Sequence, residues 1–96
     1  FGDNLQYQKG KDIFLLDGEI LEFRKKEKRL LEILINNINK TIAKDIIIDY
    51  VWEHEIKESY SLRQLINGIR RKLPAGVIRT DIGVGYTMIN NKIITD

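Results

Sequence analysis

The stretch Ser59-Tyr60-Ser61-Leu62-Arg63-Gln64-Leu65-Ile66-Asn67-Gly68-Ile69-Arg70-Arg71-Lys72-Leu73-Pro74 decides how this chain folds. Leu62, Leu65, Ile66, Ile69 and Leu73 recur at i, i+3, i+4, i+7 and i+11, one stripe of an α-helix. The spacing predicts a helix over residues 60–73. Ser59 and Ser61 are both suited to cap its start, and Pro74 and Gly76 stop it. With the stripe turned to a core, the opposite face holds Tyr60, Gln64, Asn67, Gly68 and Arg71, flanked by Arg63 and Arg70.

Downstream lie two β-prone runs, residues 77–80 and 86–89. Asp81-Ile82-Gly83-Val84-Gly85 between them reads as a hairpin tip, with Gly83 and Gly85 as the turn formers. Upstream, Leu30, Leu31, Leu34, Ile35 and Ile38 form the stripe of a first helix starting at Lys25, frayed at its end by Asn36, Asn37 and Asn39. Residues 41–43 suit only a short linking strand. A second helix over residues 44–54 buries Ile47, Ile48, Val51 and Trp52, although Ala43 is a poor cap. An acidic loop from Glu53 to Ser59 follows.

The first 23 residues read as a strand meander. Residues 4–8 alternate, with Leu5 and Tyr7 on one face. Lys9-Gly10-Lys11 turns into a short apolar strand at 12–16. Asp17-Gly18 signals a tight hairpin, because such turns need positive φ at both central positions. A third strand covers residues 20–23. The order is meander, helix, short strand, helix, loop, helix and hairpin. This predicts an α+β winged helix-turn-helix: one domain over residues 1–96, with the meander at 1–23, three helices within 25–73 and a wing at 77–90.

Composition agrees. Ninety-six residues, 43% hydrophobic and 31% charged, suit one modest globular core. The absence of cysteine removes disulfides and thiolate chemistry, and His54 is the lone histidine, so no metal or other cofactor is expected. No apolar run approaches the roughly 18 residues of a membrane span. No nucleophile triad, phosphate-binding glycine loop or paired-carboxylate cleft is visible, so no enzymatic activity is expected. The chain starts Phe-Gly without a signal-peptide pattern and reads as a piece of a longer protein.

The net charge of +2 conceals segregation. Residues 24–44 carry seven Lys or Arg against two acids. Residues 60–80 carry Arg63, Arg70, Arg71, Lys72 and Arg79 with no acid. The intervening segments 1–23 and 45–59 are net acidic. A cationic face for a polyanion beside surfaces that avoid it produces this map, and so do ordinary solvated helix faces.

Several motifs together resemble the OmpR/PhoB-type winged-helix effector domain of bacterial response regulators and of ToxR-like membrane regulators. They are Glu27 before Leu30-Leu31, Val51-Trp52, Ile66 with Ile69-Arg70-Arg71-Lys72-Leu73, and Arg79-Thr80 with Gly83-Val84-Gly85-Tyr86. The chain departs from the pattern at Lys28, where an aromatic is usual. It departs again at Ile82, where the wing often carries a basic residue, and at Asn67 and Gly68, where basic residues are frequent.

The resemblance implies double-stranded DNA binding by a cytoplasmic transcription regulator of a two-component system. The third helix would enter the major groove, where Asn or Gln reads adenine and Arg reads guanine. This makes Gln64, Asn67 and Arg71 candidate readers, with Tyr60, Ser61, Arg63 and Arg70 beside them. Gly68 allows either close approach of backbone to DNA or a tolerated weak point in the helix. Thr80 and Tyr86 would reach phosphate from the wing; Tyr86 is equally suited to the core. Arg79 would stand in for the missing cation at Ile82. Lys44, at a helix N-terminus, favours a phosphate, and Trp52 is mostly core with an indole N–H available. The block Arg24 to Arg29 falls behind the reading helix. The resemblance further implies RNA polymerase contact through the loop from Glu53 to Ser59, a head-to-tail dimer on DNA, and a receiver or membrane domain outside this chain. The competing reading is a winged helix that serves protein interaction and has lost DNA reading.

Overall fold

The computed structural model describes residues 5–53, 59–89 and 93–95. The meander forms as expected over most of its length. β1 (Leu5–Gln8) buries Leu5 and Tyr7 on its inward face and pairs antiparallel with β2 (Ile13–Leu16). β2 pairs with β3 (Glu19–Ile20) through a two-residue turn in which Asp17 and Gly18 have φ of 52° and 86°. β3 is shorter than the pattern suggests: after Leu21 N–H donates to Phe14 O, the chain leaves the ladder and tucks Leu21 and Phe23 against the core. The expected strand position at Asn4 lies outside the described residues.

α1 (Lys25–Ile35) starts without a side-chain cap at Arg24. Instead Glu27 Oε1 accepts the Arg24 backbone N–H at 2.8 Å, which is the reciprocal half of a capping box. The asparagines end the helix before Ile38: Asn37 Nδ2 donates to Ile33 O, and Asn39 turns at φ 65°.

β4 (Ile42–Ala43) leads directly into α2 (Lys44–Trp52). Ala43 offers no capping side chain, but the Lys44 N–H donates to Val84 O at 3.1 Å. A backbone carbonyl of the hairpin thus satisfies one of the helix's orphan donors. Glu53, left-handed at φ 50°, closes α2 before position 54. His54 and most of the acidic loop lie outside the described residues.

α3 (Ser59–Arg70) buries Leu62, Ile66 and Ile69 completely. It begins at Ser59, so Ser61 sits inside the first turn and is not a cap. It also ends before Leu73: residues 71–73 continue as tighter turns, with Lys72 N–H donating to Ile69 O. Pro74 disfavours helical geometry in the residue before it, which shortens the last turn.

β5 (Ile78–Asp81) and β6 (Gly85–Met88) form the wing hairpin, and β4 adds to the other side of β6 in the order β4-β6-β5. β6 is therefore central and wholly buried. The two tip glycines have different duties. Gly83 supplies a φ of 80°. Gly85 is required by close packing: a Cβ there would stand 1.8 Å from the Ile42 carbonyl oxygen. The expectation that both serve the turn is corrected on this point.

β7 (Ile94–Thr95) runs parallel to β1 and completes a sheet of order β3-β2-β1-β7. α1 packs on α2, α3 and β6, and one core joins Leu5 and Phe14 of the meander to Leu34, Ile47, Val51, Ile66 and Met88.

Tyr7 Oη donates to Asp12 Oδ1 at 2.7 Å from this core. Burial, reinforced by that bond, pushes its phenol up to about 12 from 10.0. The unfolded chain then releases the phenolic proton before the folded chain does. The contribution is complete below pH 10 and is lost as pH rises towards 12. Denaturant midpoints should therefore fall across that window in the parent, and Tyr7→Phe should flatten the fall. An identical alkaline limb in both proteins would contradict this placement.

Candidate nucleic-acid interface

The stripe of α3 faces the core, so the opposite side of the helix is left outward. Arg63, Gln64 and Asn67 are exposed there, and Arg71 is exposed just beyond the last turn. The outward exposure of these four agrees with the face that the apolar stripe predicts. Ser61 is half-buried. Tyr60 lies on α3, but its side chain is outside the described residues.

Gly68 does not belong to this face. A Cβ at Gly68 would meet Glu27 Oε2 at 3.2 Å, so the residue is turned to the start of α1. Its small size admits a carboxylate, and the reading of Gly68 as a DNA-approach position is corrected. Glu27 is itself only 6% exposed. A carboxylate this buried needs partners, and it accepts from the Arg24 N–H and from Lys72 Nζ at 3.3 Å. Lys72 also donates to Glu22 O at 2.8 Å and lies 5.1 Å from the Phe23 ring centroid. Lys72 thereby fastens the end of the α3 segment to the strand-to-helix connection. The sequence offers little sign of this: Glu27 reads as one acid in a run of cations, without the Ser or Thr that announces a capping box.

Arg70 joins the helix to the wing. Its Nη2 donates to Ile78 O at 2.8 Å and to Thr80 Oγ1 at 2.7 Å, and its guanidinium lies 5.8 Å from the Tyr86 ring centroid. Thr80 is exposed and keeps its hydroxyl proton for another acceptor. Tyr86 is 7% exposed and belongs to the core, the second of its two expected roles. Arg79 Nε donates to Asp81 Oδ1 at 3.0 Å, so its charge is matched locally and does not stand in for a cation at Ile82.

Asp81 also accepts from the hydroxyls of Thr87 and Thr41, whose oxygens are 2.8 Å apart. These bonds, that from Thr87 foremost, hold the Asp81 carboxyl below its ordinary value. The base of the wing is built on this anion. At the tip, Ile82 is 93% exposed and Val84 53%.

Lys44 is half-buried at the start of α2, and its own N–H is already taken by Val84 O; only its ammonium remains for a phosphate. Trp52 is 7% exposed within the core. In the basic block of α1, Arg29 donates to Tyr50 O through Nε and Nη2 and stacks 4.5 Å from the Tyr50 ring centroid. It ties α1 to α2, while Lys25, Lys26 and Lys28 remain exposed.

Three packed helices closed by a β-hairpin, with the polar face of the third helix beside that hairpin, define a winged helix-turn-helix protein. Residues 18–88 match the family described as transcriptional regulatory protein, C terminal, and the chain belongs to that family, whose members carry the OmpR/PhoB-type domain. The transcriptional regulatory protein QseB of Escherichia coli O157:H7 is 36% identical over 87 residues, covering 88% of this chain and 39% of that protein. The DNA-binding domain of CpxR from E. coli has the same fold, with a TM-score of 0.76 at 24% identity over 94% of each chain. The DNA-binding domain of the response regulator AdeR, crystallised in complex with an intercistronic region, gives 0.76 at 14% identity, covering 91% of this chain and 94% of that one. The chain spans well under half the length of the curated relatives it matches.

The Gly68–Glu27 contact yields a sign prediction. Gly68→Ala alone should gain little or lose stability, because two donors hold Glu27 Oε1 and so restrain Oε2 from giving way to a new methyl group. In a Glu27→Ala background the same change should recover about 1 kcal/mol of helix propensity. Additive effects across the thermal-unfolding double-mutant cycle would show that the two positions do not touch.

Proposed function

We propose that this chain is the DNA-binding effector domain of a bacterial response regulator and reads double-stranded DNA with α3. The observation that carries the reading is the outward row Arg63, Gln64, Asn67 and Arg71 on a helix tied to the wing by Arg70. A major groove admits one such helix, and these side chains have the donors and acceptors that base edges and phosphates require. Lys44 and Thr80 flank the row, at the α2 start and on the wing, as backbone-gripping groups. The exposed, uncharged tip at Ile82 and Val84 offers only shape or apolar contact, so the wing's polar grip comes from Thr80.

The domain is one unit of a longer cytoplasmic protein, with a receiver domain outside the chain. Response-regulator relatives more than twice its length support this over a ToxR-like parent. RNA polymerase contact through the acidic loop and a head-to-tail dimer on DNA are further parts of the proposal. They rest on the family alone.

Two variants test the reading. Arg63→Ala should weaken binding to all duplexes alike and reduce the log–log salt slope by about 0.9, one phosphate's worth. Asn67→Ala should leave non-specific binding intact and relax preference at one position in sites selected from a random library, by about 1–3 kcal/mol. A parent slope near zero would favour the protein-interaction reading instead, and an unchanged consensus would remove Asn67 from the reading set.

A further inference from the structure

The wing ends in an apolar point. Ile82 is 93% exposed and Val84 53%. Between them Gly83, at φ 80°, carries no side chain and has open space around it. The tip is therefore narrow, and the Ile82 side chain is its foremost part. A lone aliphatic group is far smaller than the roughly 800 Å² per partner of a stable protein interface.

Several bonds keep this point from folding back or swinging. β6 lies between β4 and β5. Val84 N–H donates to Asp81 O at 2.9 Å across the turn, and Val84 O accepts from the Lys44 N–H. The Asp81 carboxylate is taken up by the hydroxyls of Thr41 and Thr87 and by Arg79. The tip thus carries neither an unmatched anion to repel phosphate nor a cation to attract it. Isoleucine adds stiffness of its own, because its branched Cβ leaves few χ1 rotamers.

The place of the tip in the fold says what it meets. Thr80 lies on β5, at one edge of the hairpin sheet, and Lys44 follows β4, at the other edge. Both are backbone-gripping groups in the proposed DNA complex. An apolar side chain between two such groups lies over a groove and not over a ridge of phosphates. With α3 in the major groove, the neighbouring groove is the minor one, about 6 Å wide and suited to a narrow insert.

We propose that Ile82 enters the minor groove as a wedge, partly parting two stacked base pairs and kinking the duplex towards its major groove. The step that yields most readily is a pyrimidine–purine step such as TA. The wing thereby selects sequence by deformability, at a place where no side chain reads a base edge. The proposal rests on α3 lying in the major groove.

The test uses duplexes of about 30 base pairs, dye-labelled at both ends, that carry a site selected by the parent chain from a random library. One TA step is moved in turn along an otherwise A-tract flank, and bending is read by resonance energy transfer. The parent should kink the duplex by at least about 20° at one TA position. It should bind that duplex about fivefold more tightly than the uniform A-tract version. Ile82→Ser should lose both the kink and the TA preference while still binding the A-tract duplex like the parent. Ile82→Met, which keeps an apolar side chain, should retain the kink. Ile20→Ser makes the same polar change at a 60% exposed isoleucine on β3 and should alter neither readout. Ile82 and Ile20 are both exposed, so none of these substitutions threatens the fold. A parent that binds without kinking, or an Ile82→Ser chain that kinks like the parent, would overturn the wedge and leave the α3 reading standing. Loss of self-association in Ile82→Ser with DNA binding and bending unchanged would assign the tip to a second copy and overturn the wedge as well. Failure of the parent to bind any duplex would overturn the α3 reading, and the wedge with it.

Discussion

Arg70 Nη2 donates to Ile78 O and to Thr80 Oγ1 from the last residue of α3, and this pair of bonds sets how the helix sits against the hairpin. Hydrogen bonds from a charged donor contribute about 1.5–3 kcal/mol, more than a neutral pair. Here they join the end of the helix directly to the first strand of the hairpin. Beneath them the Tyr86 ring supports the guanidinium from within the sheet. The consequence is a change of role for one cation. Arg70 reads in the sequence as one of the DNA-facing cations, but its guanidinium is committed to bonds between helix and wing. The outward cations are Arg63 and Arg71.

A second clamp acts on the other side of the helix. Glu27, buried at the start of α1, is satisfied by the Arg24 N–H and by Lys72, and Gly68 gives it room. The Lys72 bond to Glu22 O extends the hold to the meander. The hairpin in turn caps α2 through Val84 and is braced at its base by the Asp81, Thr87 and Thr41 cluster. The wing and the start of α1 are thus each tied by polar bonds to the α3 segment, over a shared apolar core. The proposed reading face is the side of α3 left over when these ties are made.

Much of this was legible in the sequence. The α3 stripe and the burial of Leu5 and Tyr7 follow from periods of 3.6 and 2 in the order of residues, and the Asp17-Gly18 turn from its need for positive φ. So does the outward placement of Gln64 and Asn67. Most of the failures depend on contacts between residues far apart in the chain. Nothing near Gly68 announces that Glu27 lies against it, and nothing near Gly85 announces the Ile42 carbonyl. β7, two residues long, has no period to detect. Arg70 and Arg79 are basic in a basic stretch, and only the fold shows that one is spent on Thr80 and the other on Asp81. Ala43 looks like a missing cap until Val84 is seen to replace it.

The central claim is that α3 and the wing act as one rigid surface that meets duplex DNA through the outward face of the helix. Amide chemical-shift mapping of the chain with a mixed-sequence duplex tests it most directly. The account predicts shifts concentrated at Arg63, Gln64, Asn67, Arg71 and the wing from Arg79 to Val84, with β1 and β2 unmoved. Shifts confined to the meander, or none at DNA concentrations that saturate other winged-helix domains, would contradict it.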